Sequence, residues 1–540
     1  MRAVYSSYIL PRESHMDADV IVVGSGHNGL VCGAYLAQWG YRVLVLERRD
    51  TLGGAVCTEE MFGGFQLDVG GSAHFMIHHT PIVEDLGLAR YGLEYIPLDP
   101  FMVAPFDDGT AVAFYQDLDR TCESIAKISE ADADNYRAFV ERWAPLNEAV
   151  FAAFQRPPTG LNLLRSLVGR KLTKGGRDRD DMVRALLTSY GRLLDTSFES
   201  PKMRAALAWW GAQSGPPPID AASAEFIGWH SVIHKHGPAR PRGGSGELTQ
   251  SLVRHIEDHG GTVLANSEVR KIVVNNGRAE GVELHDGRSY SASRVVSNAH
   301  LWVTYRDLLA DWTPPSLRKR IDSVHVGNGF GMVLRCAMDG LPRYNVSGYE
   351  DAELHRGLQL LCPSTQYLKD AYADYLRGLP SKDPAAIVMT FSAVDPTLAP
   401  EGKHTMFVWG QYYPYNLRDG GDWDAIQQQE YEKLLGVVER YAPGTREMVR
   451  DTYIQTPKVI SEKHNLPNAN VMHVEMLIDQ MFMNRPLPEL SKYEGELKGL
   501  YLASAGMHPG GGIFGAAGYN CAHVVRDSFR RRLFSGRSVL

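Results

Sequence analysis

Two hydrophobic periods alternate near the start of the chain. Val20-Ile-Val-Val23 and Val43-Leu-Val-Leu46 are unbroken apolar runs. Runs of this length beside glycine read as strands buried on both faces. Between them Leu30, Val31, Ala34, Tyr35 and Leu36 recur at helical spacing, which predicts a helix over residues 28–39 stopped by Gly40. The same alternation returns later. Leu252, Val253 and Ile256 mark a helix running to Gly260-Gly261, and apolar runs at 262–265, 269–274, 279–284 and 294–297 predict strands. Near the end a short strand, Leu500-Tyr-Leu502, leads into a glycine-rich loop and a last helix.

The segments between follow another pattern. Residues 131–154, much of 180–210, and 424–441 have the spacing of amphipathic helices. Residues 101–114 read as short strands around an Asp107-Asp-Gly109 turn, and 386–391 and 404–409 as neighbouring strands. The expected fold is therefore α/β. A discontinuous Rossmann-type domain takes residues 17–80, 238–300 and 491–540. An α+β substrate domain is made of the insertions 81–237 and 301–490. Residues 1–16 are expected to be an extension of tag origin, without the long apolar run of a signal peptide.

The turn between the first strand and helix carries the chemistry. Gly24-Ser25-Gly26-His27-Asn28-Gly29 places glycines where a tight turn, a close approach to pyrophosphate and close helix packing each need one. The helix start offers free N–H groups to phosphates. Glu47 ends the second strand where a ribose hydroxyl needs an acceptor. Taken alone, this is a dinucleotide site, most simply one for NAD. Gly53-Gly54 suggests a second close backbone approach.

With Glu47, Arg48 and Gly53-Gly54, the motif resembles the flavin-binding N-terminus of the amine oxidase and phytoene desaturase superfamily. The resemblance implies FAD, with the acid on the adenosine ribose and the Gly-Gly loop along the phosphates. The segment at 268–272 resembles the family strand whose first residues meet adenine through the backbone, which points to Val269. Arg242-Gly-Gly-Ser-Gly246 resembles an element on the flavin side of the cavity. The stretch from Gly506 to Gly518, with Met507, Gly512 and Ile513, resembles the C-terminal signature of carotenoid desaturases, isomerases and desaturase-like carotenoid ketolases. That signature faces the flavin pyrimidine and ribityl phosphate, and Ser504 and Met507 stand where Gly and Thr are more usual. The resemblance spans about residues 17–525 and implies a glutathione-reductase/amine-oxidase-like fold.

Charge and cysteine content narrow the partners. Of 540 residues 22% are charged, with net charge −7, which argues against nucleic acid. Six cysteines lack CxxC spacing, which excludes the usual zinc site and a disulfide-reductase dithiol and fits a reducing cytoplasm. No metal site is expected, since the His74, His78, His79 cluster has no ligand frame. His74, Trp229 and His230 are candidates to line a substrate cavity, together with His234 and His236. His508, the one titratable side chain in the C-terminal loop, reads either as a proton relay or as a structural hydrogen-bonding residue. Basic residues Arg165, Arg170, Lys171, Lys174 and Arg177 follow the apolar 161–168 stretch. They suggest peripheral contact with the inner face of a membrane, or a core-packed helix with solvated charges.

The function implied by the resemblance is hydride transfer from a C–H bond of a lipophilic, carotenoid-like polyene to FAD, ending in desaturation or ketolation. Gly327-x-Gly329-x-Gly331 lacks the spacing of a second dinucleotide site, so oxygen or a quinone is the expected electron acceptor. Two other readings stay open. One is a redox cyclase or isomerase tailoring polyene natural products. The other is a non-catalytic flavin-binding partner protein.

Overall fold

The computed structural model describes residues 16–167 and 183–535. Two seven-stranded sheets organise it. In the first, Ala18–Val23 lies between Val43–Leu46 and Ser289–Ser297 and is parallel to both. Thr262–Leu264 extends the sheet on one side, and Leu500–Leu502 pairs with Ser289–Ser297 on the other. Val20, Ile21, Val22 and Val45 are fully buried. Burial on both faces is why these strands are unbroken apolar runs rather than alternating ones.

Strand Ser289–Ser297 has two partners in succession. Ser289 to Ser291 pair antiparallel with Gly281 to Glu283 of the meander. Ala292 to Ser297 pair parallel with the first strand. This strand carries the meander, with Val269–Asn275 at its edge, onto the parallel sheet. Helix His27–Gln38 covers the sheet beside helices Gly246–Asp258 and Ala516–Ser535. Gly33 lets it approach: a Cβ there would lie 3.3 Å from Ile256 and 3.5 Å from Val43 and Val45.

The second sheet runs Val449–Gln455, Gly329–Met338, His404–Pro414, Ala386–Met389, Leu358–Leu361, Met102–Pro105, Ala111–Phe114. Only the pairing of Leu358–Leu361 with Met102–Pro105 is parallel. The expected neighbours do pair, with Ile387 opposite Trp409 and Met389 opposite Phe407. Alternation assigns the two faces. Met102, Leu360 and Ile387 join the helical core containing Trp143, Leu194 and Trp209. Val103, Leu361 and Val388 pack with Leu434 and Val438 of helix Trp423–Tyr441.

Helix Glu130–Phe154 starts at Ser129, whose side chain accepts the Asp132 N–H. The expected helix over 180–210 is interrupted instead. Residues 183–186 are helical, and Tyr190–Ser197 and Pro201–Ala212 follow as separate helices. Ser189 caps one by accepting the Arg192 N–H, and Pro201 opens the other. A Ser cap and an N1 proline are helix starts, and here they outweigh the continuous apolar period. Residues 180–182, like Arg170, Lys171, Lys174 and Arg177, lie outside the described residues.

Candidate functional site

Three separated segments converge at the start of helix His27–Gln38. Gly24 leaves the first strand at φ +93°, and its N–H donates to the Leu46 carbonyl at 2.8 Å. No side chain caps the helix, and no acid lies in its first turn. Its N–H groups and positive dipole end therefore remain available to an anion. A Cβ on Gly29 would lie 2.6 Å from the Gly24 carbonyl oxygen, and one on Gly26 2.7 Å from Asn298 Nδ2. The glycines are thus fixed by packing as well as by the turn.

Ser25 links the opening motif to the other two elements of the N-terminal cradle. Its N–H and its Oγ–H both donate to Glu47 Oε2 at 2.8 Å, and its Oγ accepts the Gly53 N–H at 3.1 Å. Glu47 Oε1 accepts the Arg49 N–H at 3.0 Å, and the residue is 6% exposed. Gly54 sits at φ +62° against the phosphate turn, where a Cβ would come within 2.9 Å of Gly26 Cα. Val269 begins its strand two residues after Ser267, whose N–H donates to the Glu47 carbonyl at 2.7 Å.

Arg48 is a correction. Its guanidinium donates to the carbonyls of Glu462 and Lys463 at 2.9 and 2.6 Å, tying the strand exit to the end of helix Pro457–His464. Arg49 braces the cradle instead, donating to the Gly54 carbonyl at 3.2 Å and pairing with Glu59. Asn298 also escaped the sequence reading. Its Nδ2 lies 3.5 and 3.4 Å from the carbonyl oxygens of Gly24 and Gly26. The available signal was a polar residue directly after a buried apolar strand.

The C-terminal loop closes on the same helix start. A Cβ on Gly518 would lie 2.0 Å from the Asn28 carbonyl oxygen, so helix Ala516–Ser535 approaches as closely as backbones allow. Ile513 meets Gly71, where a Cβ would lie 2.5 Å from Ile513 Cδ1, and Gly512 faces Met76. The half-buried His27 ring hydrogen-bonds the Gly512 backbone, and desolvation lowers its pKa to about 4. Gly506 donates its N–H to Ser504 Oγ at 3.3 Å, and Met507 is buried in the core. Arg485 anchors this region from behind, donating to the carbonyls of Met472, Val474, Glu475, Gln480, Ala505 and Met507.

His74 and His230 change role. His74 is fully buried with both ring nitrogens engaged, Nδ1 with Tyr95 Oη at 2.9 Å and Nε2 with Ser245 Oγ at 2.7 Å. It is held in an internal network. His230 bonds Tyr136 Oη at 2.8 Å and packs among Phe101, Phe114 and Trp210, inside the helical core. Trp229 does belong to an aromatic and methionine cluster with Phe151, Phe154, Phe226, Met476, Met481 and Phe514. This cluster lies directly against the C-terminal loop. His508 packs beside Phe154 and Phe482, with burial lowering its pKa to about 3. Its Nε2 lies 3.4 Å from the Ala153 carbonyl oxygen, and its Nδ1 has no hydrogen-bond partner. Among the described residues no group of His, Cys, Asp and Glu could hold a metal, and all six cysteines are free.

Uncapped helix N–H groups, glycines with no room for a Cβ, a buried acid at the strand end and the partnerless His27 Nε2 and Asn28 Oδ1 fit a dinucleotide. Fold and site together define a dinucleotide-binding α/β protein with a second, mainly antiparallel sheet. Residues 29–338 match the family of flavin containing amine oxidoreductases, and the chain belongs to that family. FAD is its cofactor, and it is an FAD-dependent oxidoreductase.

Its relatives span nearly the whole chain. Mouse pyridine nucleotide-disulfide oxidoreductase domain-containing protein 2 is 33% identical over 94% of this chain and 93% of its own. A limonene dehydrogenase component of Castellaniella defragrans is 27% identical over 94% of each. The neurosporene-forming phytoene desaturase of Rhodobacter capsulatus is 26% identical over 91% of this chain and 90% of its own. These matches establish the phytoene desaturase-like relationship. An oxidoreductase structure from Methanosarcina mazei superimposes with a TM-score of 0.62 at 18% identity, covering 94% of this chain and 99% of that one, and so shares the fold.

Proposed function

We propose that the protein oxidises a C–H bond of a lipophilic, carotenoid-like polyene, giving desaturation or ketolation, with oxygen or a quinone taking the electrons. The observation that carries this reading is the apolar cluster of Trp229, Phe151, Phe154, Met476 and Phe514 against the C-terminal loop. Buried methionine and aromatic side chains beside the flavin-side loop suit packing against a large apolar ligand. Two relatives are named for phytoene and limonene, both unsaturated isoprenoid hydrocarbons. When bound, FAD supplies a two-electron hydride acceptor. The protein's part is positioning and exclusion of water. The start of helix His27–Gln38 would hold the pyrophosphate, Glu47 the ribose, the Val269 backbone the adenine, and the loop at 506–518 the flavin end.

Leu161, Leu164, Val183 and Leu187 are 51–63% exposed on the two sides of residues 168–182. They give the apolar surface a membrane-resident substrate requires for its delivery. No helix among the described residues is long and apolar enough to cross a membrane.

A second reading has its own support. A pocket beside Met472 and Met476 is lined by Tyr372, Tyr375, Gln411, Tyr412 and Glu475. Such polar anchors suit a functionalised polyene that is cyclised or isomerised. Anaerobic mixing with candidate polyenes, read by flavin absorbance and product mass, tests both. Loss of two hydrogens marks desaturation, gain of oxygen on later aeration marks ketolation, and unchanged mass marks isomerisation or cyclisation. Flavin that no polyene bleaches or converts overturns the catalytic reading.

A further inference from the structure

A second pocket lies between the hairpin Thr58–Met61/Phe65–Asp68 and the second sheet. Two arginines line it, Arg240 at 1% exposure and Arg335 at 3%. Arg335 is fully supported: it donates to Gln455 Oε1 at 2.8 Å, the Gly70 carbonyl at 2.8 Å and Ser72 Oγ at 3.4 Å. Arg240 is not. Its Nε and Nη2 have no hydrogen-bond partner, and its Nη2 lies 3.5 Å from Asp68 Oδ2. Asp68 is the one carboxylate lining the pocket, and its Oδ1 already accepts from Thr58 Oγ1 and the Ser245 N–H, each at 2.7 Å. Two guanidiniums thus share a single buried carboxylate.

A buried cation with unmet N–H groups is costly unless something pairs it. Behind the charges the walls are apolar, with the Arg240 guanidinium 4.7 Å from the Phe391 ring centroid and that of Arg335 4.1 Å from Phe407. The pocket adjoins the flavin side, since Ser72 follows Gly71, which meets Ile513. Phe75, three residues after Ser72, packs against both the helical core and the cluster around Trp229.

We infer that this pocket binds a carboxylate between Arg240 and Arg335. The substrate class that fits both it and the adjoining apolar cluster is a lipophilic acid. This substrate assignment rests on the polyene reading above, whereas the carboxylate site itself does not. Arg240 supplies the unmatched N–H donors, Arg335 the second positive charge, and Phe391 and Phe407 the apolar rim.

Calorimetric titration of the FAD-loaded protein with hexanoate and with its neutral isostere hexanamide tests the site without any turnover. Saturable binding of hexanoate, with hexanamide at least about tenfold weaker, is expected from charge-assisted hydrogen bonds. Arg240→Gln should weaken hexanoate by about tenfold or more while retaining flavin, and Arg240→Lys should lose less. Equal binding of hexanamide, an undiminished Arg240→Gln, no binding to wild type, or hexanoate binding only to flavin-free protein would each overturn the assignment. If no polyene is turned over but hexanoate binding and its loss in Arg240→Gln hold, the polyene reading alone fails.

Discussion

Ser25 and Glu47 are joined by two hydrogen bonds to one carboxylate oxygen, from the Ser25 N–H and from its hydroxyl, both at 2.8 Å. The pair fixes the acid at the mouth of the phosphate turn before any ribose reaches it. Among the described residues Glu47 Oε1 accepts only the Arg49 N–H and keeps a lone pair for a hydroxyl. Glu47→Gln removes the charge from that acceptor. A charge-assisted bond contributes about 1.5–3 kcal/mol, so FAD affinity should fall about 10- to 100-fold. Reconstitution of the flavin-free variant, followed by flavin fluorescence, checks this. Unchanged affinity would remove Glu47 from the ribose site.

The contact between Gly518 and Asn28 couples cofactor retention to stability. A methyl at Gly518 would lie 2.0 Å from the Asn28 carbonyl oxygen, a backbone atom that cannot rotate away. Gly518→Ala should cost on the order of 1–3 kcal/mol by overpacking and release FAD by displacing the helix start. Gly436→Ala is the contrasting variant, because nothing lies within 4 Å of a Cβ there and it sits inside helix Trp423–Tyr441. It should gain up to about 1 kcal/mol from helix propensity. Melting temperatures of the two variants should move in opposite directions, and only Gly518→Ala should lose flavin. A silent Gly518→Ala contradicts the close approach.

The difference between these residues and the ones that resisted sequence reading is one of range. Gly24, Gly26, Gly29 and Glu47 lie within one β-α-β unit, where the backbone itself fixes which atoms meet. The parallel strands of the first sheet were legible because buried strands leave continuous apolar runs, whereas in the second sheet Gly329–Met338, Leu358–Leu361 and Val449–Gln455 escaped the reading. Asn298 acts on the Gly24 carbonyl across 274 residues, and no local period records such a meeting. His74 reads as a cavity residue because histidine is polar, yet its two partners come from Tyr95 and Ser245 on other elements. Arg48 and Arg49 are adjacent and chemically alike, and only the direction of the chain after the strand sends one to Glu462 and Lys463 and the other to Gly54. The break at Ser189 was visible as a Ser cap but hidden by uninterrupted apolar spacing.

Buried neutral histidines set the acid limit of stability. Burial lowers His27, His78, His300 and His355 to about 4 and His79, His464 and His508 to about 3, against an ordinary value of 6.5. Below about pH 6.5 the unfolded chain binds protons that the folded chain refuses, so unfolding takes up protons and stability falls as pH drops toward 4. Urea midpoints should be level between about pH 7.5 and 8.5 and decline steadily from about 6.5 downward. His508→Gln should flatten part of that decline. A midpoint unchanged between about pH 7 and 5 would contradict the buried neutral assignment.

Trp229 and His74 separate substrate contact from internal support. Trp229 belongs to the apolar cluster at the C-terminal loop, and its indole N–H donates to Glu225 Oε1 at 3.2 Å. Trp229→Phe removes that donor and part of the aromatic surface while keeping the site filled. With a lipophilic substrate packed there, kcat/KM should fall about tenfold, as expected for roughly 1–2 kcal/mol of lost contact, while flavin content stays at the wild-type level. His74→Ala acts otherwise. It strands Tyr95 Oη and Ser245 Oγ, each a buried group costing about 1–3 kcal/mol when unpaired, so its effect should appear in the melting temperature. Across a series of polyenes of increasing length, Trp229→Phe should change the ranking of kcat/KM and His74→Ala should preserve it. A His74 variant that reorders the series without losing stability would return that residue to the cavity wall.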